Sequence, residues 1–255
     1  MSTEGAPSRK LGAPIIRMGA VTSTMDVIRH LEKLGAAEGT AVIAAAQTAG
    51  RGRAGRTWQS PDSAGLYCSI LLRPALPIPQ FQPFSIAAGL AICEALDPSA
   101  SIGLRVKWPN DVLYENRKLA GILITTNISG SHIDSAVIGI GLNLLTTSSA
   151  PAHAVALSAI PGMTSDRIQN PFPYIAQAIQ RRYTALSSGN AKQALDGWER
   201  RLAYLGQAVS IEDGSETRSG HVRGIASDGA LLIETETGHL RIDSGELVRG
   251  PRLAR

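Results

Sequence analysis

The sequence predicts an α+β fold with a small β-rich unit at its C-terminal end. Three observations predict it. Apolar runs of strand length are interleaved with segments of helical period up to about residue 205. After Gly206 the texture changes, and short β-prone runs are broken by Asp213-Gly214, Asp228-Gly229 and Thr237-Gly238. Asp-Gly pairs are strong hairpin signals, and the third pair is a weaker one. Finally, 255 residues suit one large domain plus a small one, at about 150 residues per domain.

The elements follow in order. Residues 1–13 are small, polar and broken by Pro and Gly, and are expected to form a disordered tail. Ile15 to Val21 reads as a strand. Ser23 and Asp26 suggest a capping box, ahead of a helix marked by Met25, Ile28, Leu31 and Leu34. Gly35 ends it. Ala41 to Ala46 and Leu66 to Leu72 read as buried strands, with a Gly/Arg loop at 47–57 between them. Phe84 to Leu96 is apolar almost all round and predicts a buried helix. Strand-like pieces follow at Gly103 to Lys107, Asp111 to Tyr114, Lys118 to Thr126 and Ile133 to Ile140. Residues 145–165 read as loop. Pro171 to Leu186 and Ala191 to Leu205 read as helices, the second from Leu195, Trp198, Leu202 and Leu205. The remaining stretch of about 50 residues, with three tight turns, fits a small β-barrel. The expected division is a tail at 1–13, a main domain at 14–204 and the barrel at 205–255.

Composition narrows the function classes. Hydrophobic residues make up 44% and charged residues 18%, which excludes a disordered or fibrous chain. The net charge of +4 favours an anionic partner without naming it. Only five of the 25 basic residues are Lys, so a Lys inside a motif stands out. Cys68 and Cys93 form no CxxC and read as buried, reduced thiols. The N-terminus lacks the apolar core of a signal peptide. The uncharged run Pro74 to Cys93 holds four prolines, so it is no spanning helix. The expectation is a soluble, cytoplasmic protein.

The most unusual stretch is Gln47-Thr48-Ala49-Gly50-Arg51-Gly52-Arg53-Ala54-Gly55-Arg56-Thr57-Trp58. Gly50, Gly52 and Gly55 spell GxGxxG after a strand. A dinucleotide site needs a helix to open there, whereas RTWQSPDSAG is turn-rich. An RGG-like nucleic-acid segment is the other reading, but the patch is short and lies inside a globular pattern. Three glycines interleaved with three guanidiniums let backbone and charge enclose an anion. A second constellation is Lys107-Trp108-Pro109-Asn110-Asp111, followed by Lys118-Leu119-Ala120-Gly121. Pro109 keeps Trp108 out of helix, and the polar groups lie at strand ends. On these residues alone a tight turn with a surface salt bridge stays open. There is no GxxxxGK[ST], GxSxG or HExxH, and His30, His132, His153, His221 and His239 share no ligand spacing. This inventory suits phosphoryl or nucleotidyl chemistry, in which the protein positions and neutralises anions.

GRGRAGRTW, KWPNDVL, KLAGIL and GIGLNL, in that order, resemble the bacterial biotin protein ligases, over roughly residues 15–250. The resemblance implies a mixed, largely antiparallel sheet with helices on one face, like that of class II aminoacyl-tRNA synthetases, and an SH3-like barrel. It implies a two-step reaction. Biotin and ATP give biotinyl-5′-AMP and pyrophosphate, with Mg²⁺ held mainly by the phosphates near Asn110 and Asn143. The biotinyl group then passes to a lysine of a biotin carboxyl carrier protein domain. Position by position, it implies that Ser23, Thr24 and Gln47 meet the ureido ring of biotin. Gly50, Arg51, Gly52 and Arg53 would line its tail, Trp58 would wall the pocket, and Gly121 would give room. Arg51, Arg53, Arg56, Asn110, Lys118 and Asn143 would meet the nucleotide. Lys118, Arg53 and Asp111 would be catalytic, Lys118 holding both the biotin carboxylate and the α-phosphate. Arg249 would face the main domain.

The sequence departs from the family at Met25, where Asn is common, and across 145–165, so no adenine-side residue is assigned. The ligase-like part begins near residue 15, so neither a winged helix-turn-helix nor nucleic-acid binding is expected. A monomer and a homodimer both remain open. The rival readings are a lipoate or octanoate ligase or transferase of the same superfamily, and a non-catalytic biotin sensor.

Overall fold

The computed structural model describes residues 10–148 and 151–249. The main sheet is built from β1 (Ile15–Val21), β2 (Ala41–Gln47), β3 (Gly65–Leu72), β4 (Arg105–Lys107), β5 (Asp111–Tyr114), β6 (Arg117–Ser129) and β7 (His132–Asn143). Its helices are α1 (Thr24–Lys33), α2 (Ile78–Phe81), α3 (Phe84–Leu96), α4 (Ser165–Gln169), α5 (Phe172–Ser187), α6 (Ala191–Ala194) and α7 (Trp198–Arg201). The C-terminal sheet comprises β8 (Ala208–Asp213), β9 (Glu216–Ile225), β10 (Leu231–Thr235), β11 (Gly238–Ile242) and β12 (Glu246–Arg249).

The main sheet has the order β1-β2-β3-β7-β6-β5-β4. Only β1 and β2 run parallel; the other neighbours are antiparallel. A parallel pair needs a crossover, and α1 supplies it. Strand periodicity sorts the faces. Leu66, Cys68, Ile70 and Leu72 of β3, with Ala136, Ile138, Ile140 and Leu142 of β7, join one core with α3 and α5. Val42, Leu71 and Val137 point the other way and pack on Met25 and Ile28 of α1. The helices therefore cover both faces, not one as expected. The reason is the crossover, whose amphipathic stripe must lie on the face left open by α3. It covers only part of that face, and the functional groups described below occupy the rest.

Ser23 caps α1, but the reciprocal half of the expected box is missing. Its Oγ accepts from Met25 N at 3.3 Å, while the Asp26 carboxylate turns to Arg51. The expected helix at 191–205 is two short pieces. Asp196-Gly197 breaks it, with Gly197 at φ 78°, a conformation open to glycine. The apolar period was nevertheless informative: Leu195 and Leu202 are buried, whereas Leu205 is 39% exposed. Most of the expected tail lies outside the described residues, but its end is packed. Leu11 is buried, its N–H donates to Gln180 Oε1 at 2.7 Å, and Gly12 N–H donates to Gly39 O. Both cysteines are buried and unpaired.

The C-terminal sheet has the order β11-β10-β9-β8-β12. Its turns lie at the Gly pairs expected, with Gly214 at φ 60° and Gly229 at φ 88°. The expected barrel is not closed by hydrogen bonds, because no ladder joins β11 to β12 among the described residues. This sheet docks tightly. The Trp198 ring lies on Gly224, where a Cβ would fall 2.7 Å from it, and Trp108 Nε1 donates to Gly229 O at 3.0 Å. Among the described residues no helix is long and apolar enough to cross a membrane.

Candidate active site

The open part of the α1 face is made by glycines. Gly139 and Gly141 of β7 and Gly121 of β6 share it, since Gly121 pairs with Gly141. Trp58 lies on this floor: a Cβ on Gly141 would sit 2.3 Å from its ring, and one on Gly121 2.9 Å. The Gly/Arg loop folds back over the same place. Bridges join Gln47 to Ser60 and Arg51 to Thr57, and Gly52 N–H donates to Arg56 O at 2.7 Å. At the tip Ala54 takes φ 51°, a left-handed position uncommon outside glycine.

Loop and floor line a cavity of about 360 Å³. That is within the usual size of small-molecule sites. Ser23, Thr24, Gln47, Arg51, Gly52, Arg53, Arg56, Trp58, Asn110, Asp111, Lys118, Gly121 and Asn143 all line it. Gly50 does not line it. Its α-carbon faces the loop's own backbone, where a Cβ would meet Trp58 O at 2.4 Å. Gly50 therefore allows the loop to fold back.

One end of the cavity is neutral and polar. Gln47 Oε1 accepts from Thr24 N at 2.9 Å and Thr24 Oγ1 at 3.2 Å, and Gln47 Nε2 donates to Ser60 Oγ at 2.8 Å. Thr24 Oγ1 also meets Ser69 Oγ at 2.8 Å. Such a network holds a fixed donor and acceptor pattern.

The other end carries charge. Lys118 Nζ lies 2.7 Å from Asp111 Oδ1 and 5.3 Å from the centre of the Trp58 ring. Asn110 Nδ2 donates to Ile122 O at 2.9 Å, and its Oδ1 accepts from Arg53 at 3.3 Å. Arg53 also reaches Gly245 O at 3.4 Å. Its pKa is lowered by burial and then by Arg56, so it sits where an anion would relieve it. Arg51 pairs with Asp26 at 2.5 Å, and Arg56 with Glu246 at 2.7 Å. The hydrogen bond from Arg56 holds Glu246 below the usual carboxylate range. Asn143 Nδ2 donates to Lys118 O and Val155 O, pinning segment 151–155 beside the strand that carries Lys118.

Two atoms are out of balance. Trp58 Nε1 and Asp111 Oδ1 are the buried side-chain polar atoms that make no hydrogen bond among the described residues. The Lys118 ammonium is near Asp111 Oδ1 but off the line of a good hydrogen bond. Leaving such a group unmet costs about 1–3 kcal/mol. Both lie on side chains that line this one cavity, so a polar ligand is the natural partner.

Residues 18–143 match the Biotin/lipoate A/B protein ligase family, and residues 204–250 match the Biotin protein ligase C terminal domain. The Bifunctional ligase/repressor BirA of Bacillus subtilis is 30% identical, over 96% of this chain and 77% of its own length. The chain belongs to the biotin protein ligases. A Biotin–[acetyl-CoA-carboxylase] ligase of Paracoccus denitrificans is 31% identical, over 82% of this chain and 90% of its own. The biotin protein ligase of Aquifex aeolicus, solved with biotin and ATP, superposes with a TM-score of 0.75 at 32% identity. It covers 92% of this chain and 97% of that one.

In this biotin protein ligase, several site residues escaped sequence reasoning. Gly139 and Gly141 were readable, because Gly139, Gly141 and Asn143 share one strand face by period two. Asp26, Ser69 and Glu246 were not, since their partners are distant in sequence. Arg249 pairs with Val209 in the β12–β8 ladder; its side chain lies outside the described residues. A resident magnesium ion finds no cage. Among the described residues no cluster of His, Cys, Asp or Glu could hold one, Asp111 faces an ammonium, and Asn110 Oδ1 is taken by Arg53.

Proposed function

We propose that this ligase activates biotin with Mg-ATP and transfers it to a lysine of a biotin carboxyl carrier protein domain in the cytoplasm. The observation that carries the reading is the two-ended cavity, neutral and network-bound at Thr24 and Gln47, cationic at Lys118, Arg53 and Arg56. A ureido ring presents N–H and C=O groups, which suits the first end. The tetrahydrothiophene ring is apolar, which suits the glycine floor under Trp58. The carboxylate tail would reach the cationic end, beside the α-phosphate.

In the first step a biotin carboxylate oxygen attacks the α-phosphorus, and the bond to pyrophosphate breaks. Lys118 would draw the carboxylate and the phosphate together and neutralise the transition state. Arg53 would take phosphate oxygens in place of Asn110, and Arg56 would meet the nucleotide while keeping its pair with Glu246. Thr24, Gln47 and Trp58 would orient the ring, and the loop would keep water from the mixed anhydride. In the second step an acceptor amine attacks the acyl carbon, and AMP leaves with the electron pair. Asp111, beside Lys118, would take the amine's proton.

The test is biotin-dependent exchange of labelled pyrophosphate into ATP. Exchange is expected with biotin and not with lipoate. Absence of exchange with magnesium present overturns the reading, and exchange driven equally by lipoate assigns the site to the other branch of the matched family.

A further inference from the structure

We infer that a second cavity, in the crease between the two sheets, is the path by which the acceptor lysine reaches the activated biotin. The inference rests on the ligase reading and adds a route to it. The cavity measures about 280 Å³. Gln82 and Ser85, at the start of α3, form one side, and Asp228 and Asp243 of the C-terminal unit form the other. Its inner end is shared with the first cavity, for both are lined by Arg53, Trp108, Pro109, Asn110, Ile122 and Leu123.

A separate path has a chemical advantage. The Gly/Arg loop forms one side of the first cavity and is tied at Asp26 and at Glu246. An amine that entered by lifting the loop would admit water to the mixed anhydride. The crease approaches from the other side of Arg53 and leaves the loop in place.

The wall between the cavities is suited to opening. Asn110 is fixed by its bond to Ile122 O at 2.9 Å. Arg53 is the movable member. Its contacts to Asn110 Oδ1 at 3.3 Å and Gly245 O at 3.4 Å both lie at the long end for N–H donors. A phosphate anion in the first cavity competes for the same guanidinium with a full charge. Formation of the adenylate thus draws Arg53 aside and opens the wall once there is something to transfer.

The mouth is suited to a cation. Asp228 and Asp243 share the single guanidinium of Arg241, so two carboxylates face one positive charge. The Asp243 side chain is 68% exposed and stands at the solvent end. A lysine arrives as an ammonium and is attracted there. It gives one proton to solvent on leaving the mouth. The neutral nitrogen then attacks the acyl carbon, the C–O bond to phosphate breaks with its electrons going to AMP, and the second proton passes to Asp111.

Gln82→Trp, which fills the mouth, and Asp243→Lys, which reverses its charge, test the route. Neither residue lines the first cavity. Pyrophosphate exchange should stay within about twofold of the parent, while kcat/KM for the carrier domain falls about tenfold or more. Transfer at the parent rate in both variants overturns the route and leaves the ligase reading standing. Loss of exchange in step with transfer also overturns it, since the first cavity would then be what was damaged. A parent enzyme without exchange would overturn the ligase reading itself.

Discussion

Gly141 shows how a missing side chain makes a site. Its backbone is not in the left-handed region, so alanine would fit the strand, yet the added Cβ would fall 2.3 Å from the Trp58 ring. Gly141→Ala should fold normally, push the indole off the floor, and raise the KM for biotin about tenfold or more. An unchanged KM would remove Trp58 from the pocket wall. Lys118 acts through charge rather than shape. Lys118→Met keeps most of the stem and deletes the ammonium, so exchange should fall about 10²–10³-fold. The melting transition should persist, since the Lys118 side chain is 29% exposed. The two thiols are the opposite case. Burial pushes Cys68 and Cys93 up to about 12, so the native protein should resist alkylation at neutral pH and react only when unfolded. Much at this scale was legible from residue type and spacing, because loop guanidiniums, a rare lysine and Trp58 are chemically distinctive. Gly50 shows the limit of spacing: sequence does not say which side of a folded-back loop faces a ligand and which faces its own backbone.

Among the elements, the Gly/Arg loop depends on a strand from the other end of the chain. Arg56 is tied to Glu246 at the start of β12, and Arg53 reaches Gly245 just before it. We expect Glu246→Gln to loosen the closed loop, so that biotinyl-adenylate escapes and labels bystander lysines while exchange continues. Retention equal to the parent would sink this latch. The pH dependence follows from the sign. Glu246 is held below the usual carboxylate range, so the latch is complete above about pH 4.3 and fails only as pH falls through the lowered value. Escape should therefore be flat between about pH 6 and 8. The strands Ile15–Val21 and Asp111–Tyr114 and the helix Phe84–Leu96 fall where the sequence placed them, because short apolar runs bounded by Gly, Pro and polar residues are legible. The helix at 191–205 was not, because its apolar spacing continues across Gly197, where the backbone turns. The latch left no local pattern at all: Arg56 and Glu246 are 190 residues apart, and each alone is an ordinary surface charge.

At the scale of the whole molecule, the two sheets are not independent. Val209, Ile211, Val222, Leu231, Ile233 and Leu247 belong to the same buried cluster as α3, α5 and the main sheet. The connection between them is pinned by a buried ion pair. Arg201 donates to Asp97 Oδ2 at 2.6 Å and to the Asp97 carbonyl, and Asp97 also accepts from the N–H groups of Ile102, Gly103 and Leu104. Burial alone would raise the Asp97 pKa, but the Arg201 hydrogen bond and those backbone donors outweigh it and hold it low. Its stabilisation is therefore present above the ordinary Asp range and lost as pH falls through the lowered value. Asp97→Asn, which leaves Arg201 buried without its counter-charge, should cost about 3–5 kcal/mol in denaturant melts. The same continuity bears on the C-terminal unit, which sequence texture presents as a separable module. A chain ending at residue 205 would expose the groove that holds the C-terminal apolar residues. It would also leave Trp108 Nε1 and one face of Trp198 without partners. We therefore expect the full chain to unfold in one transition, coincident by circular dichroism and tryptophan fluorescence. The shortened chain should lack a cooperative transition of its own. A shortened chain that melts cooperatively and still exchanges pyrophosphate would show that the second sheet is an accessory rather than part of the core.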